Sequence, residues 1–196
     1  MKMTNCVAEG LASDIHVDVD MEIPENSEGD LAKYQISKIL AHQESLAFIR
    51  DHDVNYSLIT FHPSFVLGHS LIQSSVEDID AMNGLLLQSI QSKTPLIPPI
   101  IVNVTDVAEA HLRALDPSLS TGTEFLLTGA PATWHDIVDY VKAHFKQYDI
   151  QVASPFPEYP TLDASRATKL LGMKWKPLNE TIRSVLSQQL SFKGKK

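Results

Sequence analysis

Three observations predict an α/β protein built on a parallel sheet. Short β-branched runs alternate with amphipathic helical stretches, a helix at 30–50 passes through a brief turn into a strand at 54–61, and no internal repeat interrupts the pattern. Residues 1–7 read as a short strand. The acidic stretch 9–30, broken by Pro24, Asn26 and Gly29, reads as a loop. Asp30 is a good N-cap for the first helix, whose apolar stripe is Leu31, Ile36, Ile39, Leu40, Leu46 and Ile49. The run 54–61 (VNYSLITF) suits a largely buried strand, and 62–68 follows as a loop. A second helix spans 76–92, and the proline-bearing 94–99 connects it to a strand at 100–104. Asp106 caps a helix to 115, which Asp116-Pro117 ends. A strand at 124–128, a turn at 129–131 and a helix at 134–147 come next. Pro155, Pro157 and Pro160 exclude regular structure in the following stretch, and helices at 164–171 and 178–190 close the chain.

With 196 residues, 43% of them hydrophobic, the chain can bury one good core. A net charge of -8 argues against a nucleic-acid partner, and the one basic cluster, at 193–196, is a solvated tail. Cys6 is the single cysteine, so no internal disulfide forms, as in a reducing cytoplasm. The first twenty residues carry Asp14, Asp18 and Asp20 and no apolar run, and no window approaches a membrane span, so neither a secretory signal nor a membrane association is expected. The histidines are scattered without zinc-type spacing, and no metal is expected. His42, His52 and His144 read as helix-surface residues.

Tyr34 and Lys38 stand four residues apart in the first predicted helix and so share a face. An ammonium beside a phenol favours the phenolate and brings its proton exchange nearer neutrality, and it keeps donors for ribose hydroxyls. Alone, such a pair arises by chance about 0.3 times in a chain of this composition, the weakness of any short motif. The sequel adds weight. The strand ending at Phe61 runs into His62-Pro63-Ser64-Phe65-Val66-Leu67-Gly68, and the loop at the C-terminal end of a parallel strand is where open α/β sheets hold ligands.

The order Tyr-x-x-x-Lys, helix, strand, Pro-x-x-Val-x-Gly resembles the extended short-chain dehydrogenase/reductase family (the NAD-dependent epimerase/dehydratase superfamily). The similarity is greatest to its branch of dihydroflavonol, cinnamoyl-CoA and fungal aldehyde or ketone reductases. It continues through 102–111 (VNVTDVAEAH), through Phe125-Leu126-Leu127-Thr128-Gly129 with Trp134-His135-Asp136-Ile137, and through 162–172 (LDASRATKLLG) with Lys176-Pro177-Leu178. The fold it implies is the C-terminal part of a Rossmann-like doubly wound parallel sheet plus a small α/β substrate-binding region. Cofactor-binding core elements would lie at about 1–70 and 100–128, and substrate-binding elements at about 70–100 and 129–190. The resemblance further implies that Tyr34 protonates a carbonyl oxygen as hydride arrives from NADP(H), and that Lys38 holds the nicotinamide ribose. Pro63, Ser64, Phe65 and Val66 would line the nicotinamide, largely through backbone atoms. The substrate would be a small-molecule aldehyde or ketone, such as one of secondary metabolism, in a pocket where Phe65, Leu71 and Phe156 suggest an apolar lining.

Two departures from the family pattern stand beside this. Its Gly-rich phosphate turn is not found: the eight glycines are too far apart, so the first four strands of the sheet would be absent and the pyrophosphate end of NADP(H) left without its cradle. A half-sheet of that kind exposes a strand edge that a partner chain would cover. Where the family orients the substrate carbonyl with a hydroxyl, alignment sets Asn5 and Cys6, and Thr4 is the only hydroxyl nearby. Two alternatives therefore stay open. One is a truncated, inactive or partner-binding relative, and the other an epimerase or hydroxysteroid dehydrogenase of the same fold.

Overall fold

The computed structural model describes residues 17–18 and 22–193. The expected strand at 1–7, with Asn5 and Cys6, and the end of the basic tail lie outside them. The elements run α1 (Ser27–Asp51), β1 (Ile59–Pro63), β2 (Phe65–Leu67), α2 (Ala81–Gln91), β3 (Ile101–Asn103), α3 (Val104–Arg113), β4 (Thr123–Leu127), α4 (Trp134–His144), α5 (Ser165–Leu170) and α6 (Leu178–Lys193).

Helix α1 begins earlier than expected. The Asn26 side chain, not that of Asp30, accepts the free N–H of Gly29 at 3.0 Å, and Asp30 joins Glu28 in the first turn, where negative charge suits the helix N-terminus. The apolar stripe does not become a buried face either. Gly29 and His42 are the buried residues of α1, whereas Leu31 and Phe48 are about half exposed or more.

The strands pair in parallel, β1 with β4 and β2 with β3. The loop expected at 62–68 is thus mostly strand. At Pro63, which has no N–H to give, the chain changes partner: Ser64 N donates to Leu127 O at 2.9 Å and Phe65 N to Ile100 O at 3.1 Å. The β-favouring Phe65-Val66-Leu67 then carries on along β3. Gly129 N closes the seam by donating to Ile101 O at 2.9 Å, and a Cβ at Gly129 would lie 2.6 Å from that oxygen, so a residue without a side chain is required.

Strand β3 divides the interior in two, as the alternation of a strand dictates. Ile101 joins Leu67, Leu86, Trp134, Ile182 and Leu186 in the larger core, beneath α2, α4 and α6. Val102 faces the smaller one, with Ala110, Phe125, Leu127 and Leu171. In the larger core Tyr148 donates to Leu186 O at 3.0 Å, and burial pushes its pKa up to about 12.

Asn103, not Asp106, caps α3: its Oδ1 accepts from Thr105 N at 2.9 Å while its Nδ2 donates to Thr181 Oγ1 at 2.9 Å. Asp106 is buried instead and accepts the Lys176 N–H at 2.8 Å, tying α3 to the segment that enters α6. Burial raises its carboxyl pKa, against the opposing pull of Lys176. With a folded-state pKa above the unfolded value of 3.8, the folded chain holds the extra proton in between, so stability falls as pH rises through that window. Asp106→Asn is expected to gain on the wild type in urea unfolding as pH is raised from about 4 to 7. An unchanged difference at the two pH values would show that burial of the charge costs nothing.

Candidate functional site

The site grows from α1 and from the ends of β1 and β2. On α1, Tyr34 is 60% exposed and the Lys38 ammonium lies 5.5 Å from its ring centroid, over the ring face. The four-residue spacing therefore brings phenol and ammonium together at the surface, as the sequence predicts. Ser37 occupies the intervening turn and donates its hydroxyl to Tyr34 O at 2.7 Å.

Pro63, Ser64, Phe65 and Val66 lie at the partner change between the two strand pairs. The N–H groups of Ser64 and Phe65 are already used in it, and Pro63 has none, so backbone donors from these three are not free for a ligand. What remains is the Ser64 hydroxyl, buried and without a hydrogen-bond partner. A buried hydroxyl so placed is costly unless something meets it. Phe65 packs against the larger core and Val66 against the smaller one, but Val66 also borders a cleft of about 470 Å³. Gly68, Leu71, Asn83, Val104 and Thr105 form more of its wall. Asn83 is buried and grips Gly68 from both sides, accepting its N–H at 3.1 Å and donating to its carbonyl at 2.7 Å. Gly68 needs that freedom: its φ is +148°, and a Cβ would meet Val104 Cγ1 at 2.7 Å. Of the expected apolar lining, Leu71 is at the cleft and 93% exposed, while Phe65 and Phe156 pack on the larger core. Tyr34 and Lys38 do not border this cleft.

One group of residues escaped the sequence reading. His42 is not a helix-surface residue; it is 8% exposed, with its Nε2 3.2 Å from Glu124 Oε1. His62 Nε2 lies 3.4 Å from Glu124 Oε2, and the two imidazoles meet edge to face at 4.8 Å. Burial, then the neighbouring His42, lowers the His62 pKa, while Glu124 opposes them. The helical period carried the one available signal: His42 is one turn beyond Lys38 and two beyond Tyr34 on the same face. His52 and His144 are exposed, as expected.

Parallel strands that change partner beside a cleft make a Rossmann-like α/β architecture, and the comparisons agree. No family model matches the chain. The ketoreductase sphI of Aspergillus fumigatus is 34% identical over 166 residues, 81% of this chain and 49% of its own length. The NADPH-dependent methylglyoxal reductase GRE2 of Saccharomyces cerevisiae is 28% identical, over 81% of this chain and 51% of its own length. A crystal structure of yeast methylglyoxal/isovaleraldehyde reductase Gre2 complexed with NADPH superposes with a TM-score of 0.62 at 27% identity, covering 83% of this chain and 50% of that one. Vestitone reductase from alfalfa shares the fold, with a TM-score of 0.66 at 19% identity, over 83% of this chain and 52% of its own. Its curated relatives include fungal ketoreductases and NADPH-dependent reductases, and the matched region resembles the extended short-chain dehydrogenase/reductase family. The chain spans about half the length of the curated relatives it matches.

Proposed function

We propose that this chain forms the catalytic and substrate-binding half of an NADPH-dependent reductase of small aldehydes or ketones, acting in the cytoplasm, with Tyr34 as proton donor. The observation that carries the reading is the unpartnered Ser64 hydroxyl at the end of β1, buried where the family resemblance sets the nicotinamide. A carboxamide offers both a donor and an acceptor to such a hydroxyl. Bound NADPH supplies the hydride. Tyr34, open to solvent at its ring, gives its phenolic proton to the carbonyl oxygen as negative charge develops there. Lys38, over that ring, has donors for the ribose hydroxyls. The cleft beside Val66 takes the remainder of the substrate, with Leu71 and Val104 as apolar wall. The division into cofactor elements at about 1–70 and 100–128 and substrate elements at about 70–100 and 129–190 belongs to the same proposal.

The test is NADPH oxidation by the purified protein with methylglyoxal and a panel of small ketones, together with NADPH fluorescence titration of wild type and Ser64→Ala. Carbonyl-dependent oxidation, with cofactor affinity weakened in Ser64→Ala, is expected. Absence of both oxidation and binding would sink the proposal and favour a second reading, a partner-binding member of the same family. That reading draws on the half-open face of α1, where Leu31, Tyr34 and Phe48 are 57%, 60% and 49% exposed.

A further inference from the structure

Among the described residues, four buried side-chain polar atoms lack a hydrogen-bond partner: His42 Nε2, Thr60 Oγ1, His62 Nε2 and Ser64 Oγ. They are not scattered. Thr60 and His62 alternate along β1 and so share one face, and His42 of α1 meets that face at His62. Glu124 is directly opposite Thr60 in the parallel register and is itself 9% exposed. Orphaned polar atoms this concentrated imply something that satisfies them together.

We propose that His42, His62 and Glu124 bind a zinc ion, which fastens α1 to β1 and β4. The donor set is two imidazoles and a carboxylate, which suits Zn²⁺ and leaves a fourth, tetrahedral position for water. Ligands about 2.0–2.2 Å from a tetrahedral ion stand roughly 3.3–3.5 Å from each other. Here His42 Nε2 lies 3.2 Å from Glu124 Oε1 and His62 Nε2 3.4 Å from Glu124 Oε2, and one ligand atom from each residue lies within 4.8 Å of the other two. In the proposed site the carboxylate turns one oxygen to the ion and the widest edge closes on binding. The Glu124 carboxylate lies close to both Nε2 atoms, so the three donors already face one another. The His62 side chain, 33% exposed, gives the ion a way in, and the Thr60 hydroxyl on the same face is placed to receive a hydrogen bond from a water in the fourth position.

The consequence is mechanical. His42 is the one buried side chain of α1 beyond a glycine, so the ion fixes the helix that carries Lys38 one turn and Tyr34 two turns away. This site differs from the cofactor and substrate positions and does not depend on the reductase reading.

The experiment is calorimetric titration of the chelator-treated protein with zinc chloride, with Co²⁺ substitution followed by visible absorption and zinc X-ray absorption on the wild type. One ion per chain is expected, with the absorption bands of tetrahedral cobalt and a first shell of nitrogen and oxygen containing two imidazoles. His42→Ala and Glu124→Gln each should weaken affinity by at least the roughly 10–100-fold typical of disrupting a metal's outer-shell partners. His144→Ala, on the exposed side of α4, should leave affinity unchanged. Zinc is also expected to raise the melting temperature of the wild type and not that of His42→Ala. Absence of stoichiometric binding, a first shell without two imidazoles, or wild-type affinity in Glu124→Gln would each overturn the assignment; the first two need no variant to fold.

Discussion

Trp134→Ala is expected to lower the free energy of unfolding by about 3–5 kcal/mol. Trp134 is 1% exposed, and as the first residue of α4 it sets that helix into the larger core beside Ile97, Ile101 and Ile182. Removal of the indole leaves a cavity that the two helices and the strand around it close only in part. It also removes the N–H that Ile97 O accepts at 2.9 Å, in a segment where Ile97 is itself 2% exposed. An unpaired buried carbonyl costs about 1–3 kcal/mol, so part of the loss belongs to the hydrogen bond. Trp134→Phe separates the two contributions, since it keeps most of the volume and none of the donor. Urea unfolding followed by circular dichroism measures both, and a cost below about 1 kcal/mol for the alanine variant would mean that α4 is not anchored by this ring.

Tyr34→Phe is expected to reduce kcat for carbonyl reduction by about 10²–10⁴-fold, the range for removing a positioned general acid, while NADPH affinity stays near wild type. The ring is 60% exposed and phenylalanine preserves it, so the change removes a proton and little else; stability should move by less than about 0.5 kcal/mol. Lys38→Met is expected to divide the effects differently, weakening NADPH affinity, because the proposed role of the ammonium is to hold the ribose. Steady-state kinetics with fluorescence titration on the three proteins measures this split. An unchanged kcat in Tyr34→Phe removes the tyrosine from proton donation, whatever the cofactor does.

The elements were legible where local chemistry was sufficient. The helix at 134 starts where Thr133 and Asp136 form a reciprocal cap, and the strand at 124–128 appears as Thr123–Leu127 with every residue buried. Boundaries failed where two caps competed. Asn26 displaced Asp30 because its Oδ1 meets Gly29 N one turn earlier, and Asn103 displaced Asp106 because the carboxylate was drawn inward to Lys176 N. The helix expected to end at 147 stops at His144, since Phe145 and Tyr148 turn into the larger core. The strand expected from 54 begins at Ile59, where pairing with Thr123 becomes available.

Periodicity and the succession of elements determined the α/β class and the pairing of Tyr34 with Lys38, because each rests on spacing within one element or on the order of elements, and the ordered motifs carried the resemblance to the reductase family. Only the tertiary structure decided which polar groups share an environment. His42, His62 and Glu124 come from a helix and two strands far apart in the chain, and Ser64 is left without a partner by a strand that changes neighbours at a proline. Burial is a property of what packs on top of a residue. No local pattern distinguishes a histidine that faces solvent from one that faces a carboxylate on another strand.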